Sequence, residues 1–162
     1  MKHILALLVV DQPGVMVRVA ALYSRRGYNI DSIAVGKTED PHVSRITLVV
    51  EAENEAELEQ ITKQLYKLVD VIKINDLTKD DAVERELALM KVSAGSANRA
   101  QLLQIADIFR AKIVDVSQDA VIIEVTGSED KVEAIIALIK PFGLKEIVRT
   151  GKIAMVRSAV RS

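Results

Sequence analysis

Asp11-Gln12-Pro13-Gly14-Val15-Met16 is the stretch of the sequence best equipped to hold a ligand. Pro13 fixes its own φ and offers no donor, and Gly14 lacks a Cβ, so a ligand can approach the backbone closely where a helix is expected to begin. The free N–H groups of a first helical turn, with the positive end of the helix dipole, form an anion site that suits a carboxylate. Asp11, ending the preceding strand, adds a negative group within reach. An N–H cluster and a carboxylate are the two poles that the zwitterionic head of an α-amino acid needs. The same residues also make an ordinary strand-to-helix turn with Asp11 as its cap. Residue chemistry alone leaves both readings open.

Elsewhere the sequence offers little chemistry. His3 and His42 are the only histidines, and neither has a second histidine or carboxylate at metal-ligand spacing. Both are expected as partly exposed strand-end residues, with no metal site and no catalytic base. Asp70, Asp107 and Asp115 are single carboxylates at element flanks and read as surface or cap groups. Gly36-Lys37-Thr38 resembles the tail of a phosphate-binding loop, but that pattern needs a glycine five positions earlier, where Asp31 stands. No catalytic residue is assigned. A chain of this size without a cofactor would need an acid, base or nucleophile of its own to be an enzyme.

Composition narrows the classes further. The 162 residues contain no cysteine, which removes disulfides, thiolate nucleophiles and cysteine metal sites and fits a reducing, cytoplasmic setting. Basic and acidic residues number 22 and 23, without a basic block before the last few positions, which argues against nucleic acid. Only five aromatic residues are present, none in an expected central strand, so base stacking is poorly provided for. The opening MKHILALLVVDQPG reads as a strand and not as a signal peptide. No segment approaches the ~18 to 20 apolar residues of a membrane span.

The elements that must position the turn follow from hydrophobic periodicity. Strand one is His3 to Val10, apolar on both faces. A helix follows Gly14, with Val15, Met16, Val19, Leu22 and Tyr23 on one stripe and Gly27 as its stop. Strands are expected at Tyr28 to Gly36 and His42 to Glu51, then a helix opened by the capping-box spacing of Asn54 to Glu57 and burying Leu58, Ile61, Leu65 and Leu68, then a strand at Val69 to Leu77. The order repeats: a strand at Arg85 to Val92, a helix from Asn98 to Ala111, strands at Lys112 to Val116 and Val121 to Val125, a helix from Glu129 to Lys140 ended by Pro141 and Gly143, and a last strand at Leu144 to Arg149. Two copies of β-α-β-β-α-β, each about 75 residues, predict an α+β chain of two ferredoxin-like βαββαβ domains in tandem. The expected division is residues 1–77, a charged connection at 78–84, and residues 85–162. Each sheet would leave one face and its edges open, to be covered by a second chain in a dimer or by the other half of the same chain.

The segment LLVVDQPGVMVRVAALYSRRGYNIDSIAVG resembles the D-x-P-G-V turn and helix of the ACT family of amino-acid-sensing regulatory domains. The segments TEDPHVSRITLVVE, QLYKLVDVIKINDLT, VERELALMKV, IFRAKIVDVS and VIIEVTGSEDKVEAI extend the likeness over essentially the whole chain, to the small regulatory subunit of acetohydroxyacid (acetolactate) synthase. The resemblance implies an N-terminal ACT domain in a non-catalytic regulatory subunit. Such a subunit binds and activates a catalytic large subunit and confers feedback by valine, with leucine and isoleucine as alternative effectors. Thiamine diphosphate, Mg²⁺ and FAD would belong to the large subunit, and this chain would hold no cofactor. It further implies a homodimer with effector at the ACT interface. The matching residues are Asp11, Gln12, Pro13, Gly14, Val15 and Met16 of one chain with Asn29 and Ile30 of its partner. Some members carry Asn where this chain has Asp11.

Overall fold

The computed structural model describes residues 2–158. The chain separates into two compact units, one reaching Val83 and resuming at Lys152, the other spanning Glu84–Gly151. In the first, the elements are β1 (Lys2–Val10), α1 (Val15–Arg26), β2 (Ile30–Lys37), β3 (Val43–Glu51), α2 (Glu55–Tyr66) and β4 (Val71–Asp76). Its antiparallel sheet runs β2-β3-β1-β4, the strand order of a ferredoxin-like unit. The second unit repeats that order with β5 (Ala82–Ser93), α3 (Arg99–Ile108), β6 (Lys112–Val116), β7 (Ala120–Gly127), α4 (Glu129–Gly143) and β8 (Leu144–Arg149), as β6-β7-β5-β8. The two-copy α+β architecture read from periodicity is the one observed.

Side-chain alternation divides β1 between two cores. Leu5, Leu7 and Val9 face the helices and pack with Val15, Val19, Leu22 and Tyr23 of α1 and with Leu58, Ile61 and Leu65 of α2. Ile4 and Ala6 point to the opposite face, where they meet Val49, Leu77 and Ala154. Ala154 belongs to β9 (Ile153–Val156), a strand that periodicity did not reveal. Ile-Ala-Met-Val is too short to carry a period, and only Ala154 of the four is buried. Its carbonyl accepts a hydrogen bond from Arg45 Nη2 at 2.8 Å.

Helix boundaries follow capping chemistry. Asn54 Oδ1 accepts from the Glu57 N–H at 2.9 Å, and Glu57 reaches back to the Glu53 N–H. Ser128 caps α4, receiving the Lys131 N–H. Gly27 takes φ 69° and turns the chain out of α1. Helix α4 corrects one expectation: it continues through Pro141 to Gly143. A proline in a last turn forfeits a single backbone bond, and the stop comes at Gly143, whose φ of 105° no helix can hold. No helix among the described residues is long and apolar enough to cross a membrane.

Tyr23 is 1% exposed and its hydroxyl has no hydrogen-bond partner among the described residues. Burial, with a smaller contribution from Tyr28, pushes its ionisation well above the ordinary phenolic range. An unpartnered buried hydroxyl is a liability, so Tyr23→Phe is expected to stabilise the protein by about 1 kcal/mol. The native state holds the phenol proton more tightly than the unfolded chain does. Wild-type stability therefore falls as pH rises past about 10, and the advantage of Tyr23→Phe should widen there. Urea denaturation at neutral and alkaline pH measures both effects. A variant less stable than wild type would mean that the hydroxyl has a partner.

Candidate functional site

The turn between β1 and α1 is built around Gly14, which takes φ 87° and ψ −8°. That left-handed conformation is costly for other residues and lets the chain leave the strand and enter the helix within four residues. The Asp11 N–H donates to the His42 carbonyl at 2.8 Å, and Gln12 N–H to Val10 C=O at 3.0 Å. Gly14 is the N-cap residue and no side chain caps α1, so Asp11 is not its cap. No acidic residue occupies the first turn of α1, in contrast to α2 and α4, each with two. The first helical bond runs from Arg18 N–H to Gly14 C=O at 3.1 Å, and Val15 N–H reaches Gln12 C=O only at 3.5 Å. The N–H groups of Met16 and Val17 thus precede the helical ladder, at the positive end of the dipole.

Of the residues singled out in sequence, Asp11, Gln12, Pro13 and Gly14 are exposed. Val15 is buried in the core and Met16 packs against it, so both can meet a ligand mainly through backbone. Asn29 and Ile30 lie elsewhere. The Asn29 carbonyl accepts the Glu51 N–H at 3.1 Å, and Ile30 pairs Val50, which in turn pairs His3. The turn adjoins the other end of β1, where Val10 pairs Val43. Seven residue steps, His3 to Val10, separate the two ends, roughly 23 Å at ~3.3 Å per residue. One chain therefore does not bring Asn29 and Ile30 to its own Asp11–Met16 turn.

Arg18, which sequence reasoning passed over, stands at this turn with Asp70. Arg18 Nε donates to Asp70 Oδ2 at 2.6 Å, while Asp70 C=O accepts the Val10 N–H at 2.9 Å. A Cβ built on Gly14 would lie 3.1 Å from Arg18 Nη1, which sets the guanidinium beside the open helix start. The signal was available: side chains in a helix lean toward its N-terminus, so a basic residue one turn in lies back over the entry. Asp70, read as a surface or cap group, is instead the tether of that guanidinium. His3 departs further from expectation. It is 1% exposed, because it shares the helix-facing side of β1 with Leu5, whereas His42 is exposed as expected.

The turn thus combines uncapped N–H groups and a guanidinium with the carboxylate of Asp11, which suits a small anionic or zwitterionic ligand. Comparison with known proteins gives this geometry a context. Residues 85–158 match the family described as small subunit of acetolactate synthase, and residues 5–73 match the AHAS small subunit-like ACT domain. A probable acetolactate synthase small subunit of Archaeoglobus fulgidus is 52% identical over 97% of this chain and 98% of its own length. The acetolactate synthase small subunit of Bacillus subtilis is 50% identical over 97% of this chain and 91% of its own. The crystal structure of the acetolactate synthase small subunit of Thermotoga maritima superposes with a TM-score of 0.89, at 45% identity and 99% coverage of both chains.

Proposed function

The chain belongs to the acetolactate synthase small-subunit family, with an ACT domain in its N-terminal half, and from that premise we propose that it confers valine feedback on a catalytic large subunit. In this reading the chain is a non-catalytic, cytoplasmic regulatory subunit that binds the large subunit and raises its activity. Thiamine diphosphate, Mg²⁺ and FAD stay with that subunit. The effector is a branched-chain amino acid, valine before leucine or isoleucine.

The observation that carries the proposal is the uncapped first turn of α1, with Arg18 beside it and the exposed Asp11 three residues before Gly14. The effector carboxylate would accept from the N–H groups of the first turn, and Arg18 adds positive potential there. Asp11 would face the ammonium. Asn29 and Ile30 would come from a partner chain, since within one chain they are a sheet-length away. Strand β2 is a free sheet edge with Ile33 and Val35 exposed at 37% and 52%, a surface that a second copy would cover. In the division proposed with this reading, residues 1–77 form the ACT domain, 78–84 connect it onward, and 85–162 form the second domain.

Melting curves with valine, leucine and isoleucine test the effector. A ligand that binds only the native state adds about 2.7 kcal/mol at a hundred times its dissociation constant. No shift with any of the three would overturn the reading. Sedimentation at micromolar concentration should give a dimer, and a stable monomer would remove the shared pocket.

A further inference from the structure

At the opposite end of β1 from the turn, the first unit contains a cavity of about 400 Å³ lined by His3, Glu55, Leu58, Glu59, Thr62, Asp76 and Lys79. The volume lies within the range of small-molecule sites. His3 is 1% exposed, and neither Nδ1 nor Nε2 has a hydrogen-bond partner among the described residues. A buried imidazole with both nitrogens unpaired forfeits hydrogen bonds that water would otherwise supply, and the cavity beside it is where a partner can be placed.

The lining has a sign. Three carboxylates stand against one ammonium: Glu55 is paired to Lys79, whereas Asp76 meets only neutral donors, its Oδ1 accepting the Thr78 N–H at 3.0 Å and the Thr78 hydroxyl, and so keeps its charge. Glu59 is 69% exposed and lies 3.4 Å from Lys63, one helical turn on, a contact of little strength in water. The remaining potential is negative and favours a cation. Among the described residues no three His, Asp or Glu side chains converge as metal ligands do, so the charge is spread over the cavity rather than focused on one point. A cation whose charge and volume are likewise extended fits better than a single ion.

We propose that this cavity binds a small organic ammonium ion, with Glu59 and Asp76 receiving its charge and His3 accepting an N–H through a ring nitrogen. The site is separate from the turn at Gly14 and does not depend on the effector reading. Glu55 and Lys79, long and largely exposed, are the side chains that would move to admit the ligand.

The test uses the full chain labelled at histidine, which gives two ring signals, one for His3 and one for His42. The probe is 1,4-diaminobutane, which carries an ammonium group at each end at neutral pH. The His3 signals should move saturably while those of His42 stay still, and butane-1,4-diol, of the same length without charge, should produce no shift. Glu59→Gln changes an exposed side chain and should weaken binding about tenfold, the range expected for a charged hydrogen bond. The proposal is overturned if His3 does not shift saturably or if the diol acts equally. It fails likewise if sodium chloride at matched ionic strength or magnesium chloride reproduces the shift, or if Glu59→Gln binds as wild type does.

Discussion

Arg149→Met is expected to destabilise the second unit by about 3 kcal/mol, enough to lower its melting temperature by roughly 10 °C or more. Arg149 stands on β8 and pairs through Nε with Glu86 of β5, a carboxylate only 5% exposed, and through Nη1 with Glu133 of α4 at 2.7 Å. One guanidinium thus joins two strands and a helix, and Glu86 and Glu133 together hold it firmly protonated. Removing it leaves the Glu86 charge buried without its cation, the costly half of a broken buried pair. Arg149 is itself one-third exposed, so solvent screens part of the loss and the figure belongs at the low end of the range. Glu86→Leu placed on Arg149→Met removes the stranded charge and should restore most of the stability, because packed apolar groups replace such pairs at little cost. Urea denaturation of wild type, single and double variants decides it. A single variant within about 0.5 kcal/mol of wild type, the usual scatter of surface substitutions, would make the pair ornamental.

That pair was invisible in sequence. Glu86 follows Glu84 and Arg85 in a charged run, and only the register that sets Ala88 opposite Arg149 brings its carboxylate under the guanidinium. The fold itself was legible because it rests on local periodicity: the stripes of α1, α2 and α4 and the two-sided apolar run of β1 each specify what they pack against. Boundaries slipped where local signals conflict with tertiary pairing. β5 starts at Ala82, ahead of the Arg85 expected from alternation, because sheet pairing extends a strand past its apolar residues. His3 was misjudged for a related reason. A strand's first residues look exposed in sequence, but the start of α2 meets that end of β1, and Glu55 and Leu58 line the same cavity as His3.

At the turn, Pro13 and Gly14 announced a helix entry, and the left-handed φ of Gly14 explains why glycine stands there. What sequence could not give was the Arg18–Asp70 tether, since Asp70 is brought to α1 only by the folding of β4 against β1. The separation of Asn29 from the turn is likewise a matter of register. It is also the most direct physical argument that a pocket using both must draw on two chains.

Gly14→Asp is expected to abolish valine feedback in the reconstituted synthase while leaving activation of the large subunit largely intact. The substitution places a carboxylate at the first turn of α1, where it can occupy the N–H groups that the effector would use. It also repels the incoming carboxylate. The combined loss is about 2 to 4 kcal/mol, roughly 30- to 1000-fold in affinity. The backbone adds a cost that sequence alone did not suggest, because an L-residue at φ 87° is strained by about 1 to 2 kcal/mol. The helix should survive it. The new Cβ meets only the end of the flexible Arg18 side chain at 3.1 Å, and an aspartate there gains both the helix dipole and that guanidinium. Gly14→Ala separates the two contributions, since it carries the same strain without the charge and should weaken feedback much less. Asn29→Ala, on the partner side of the proposed pocket, removes a contact without adding a charge and should also act more mildly. Each variant is assayed as a complex with the large subunit over a range of valine concentrations. If Gly14→Asp responds at the wild-type concentration, the effector does not sit at this turn, and the roles proposed for Asp11 through Met16 fall with it.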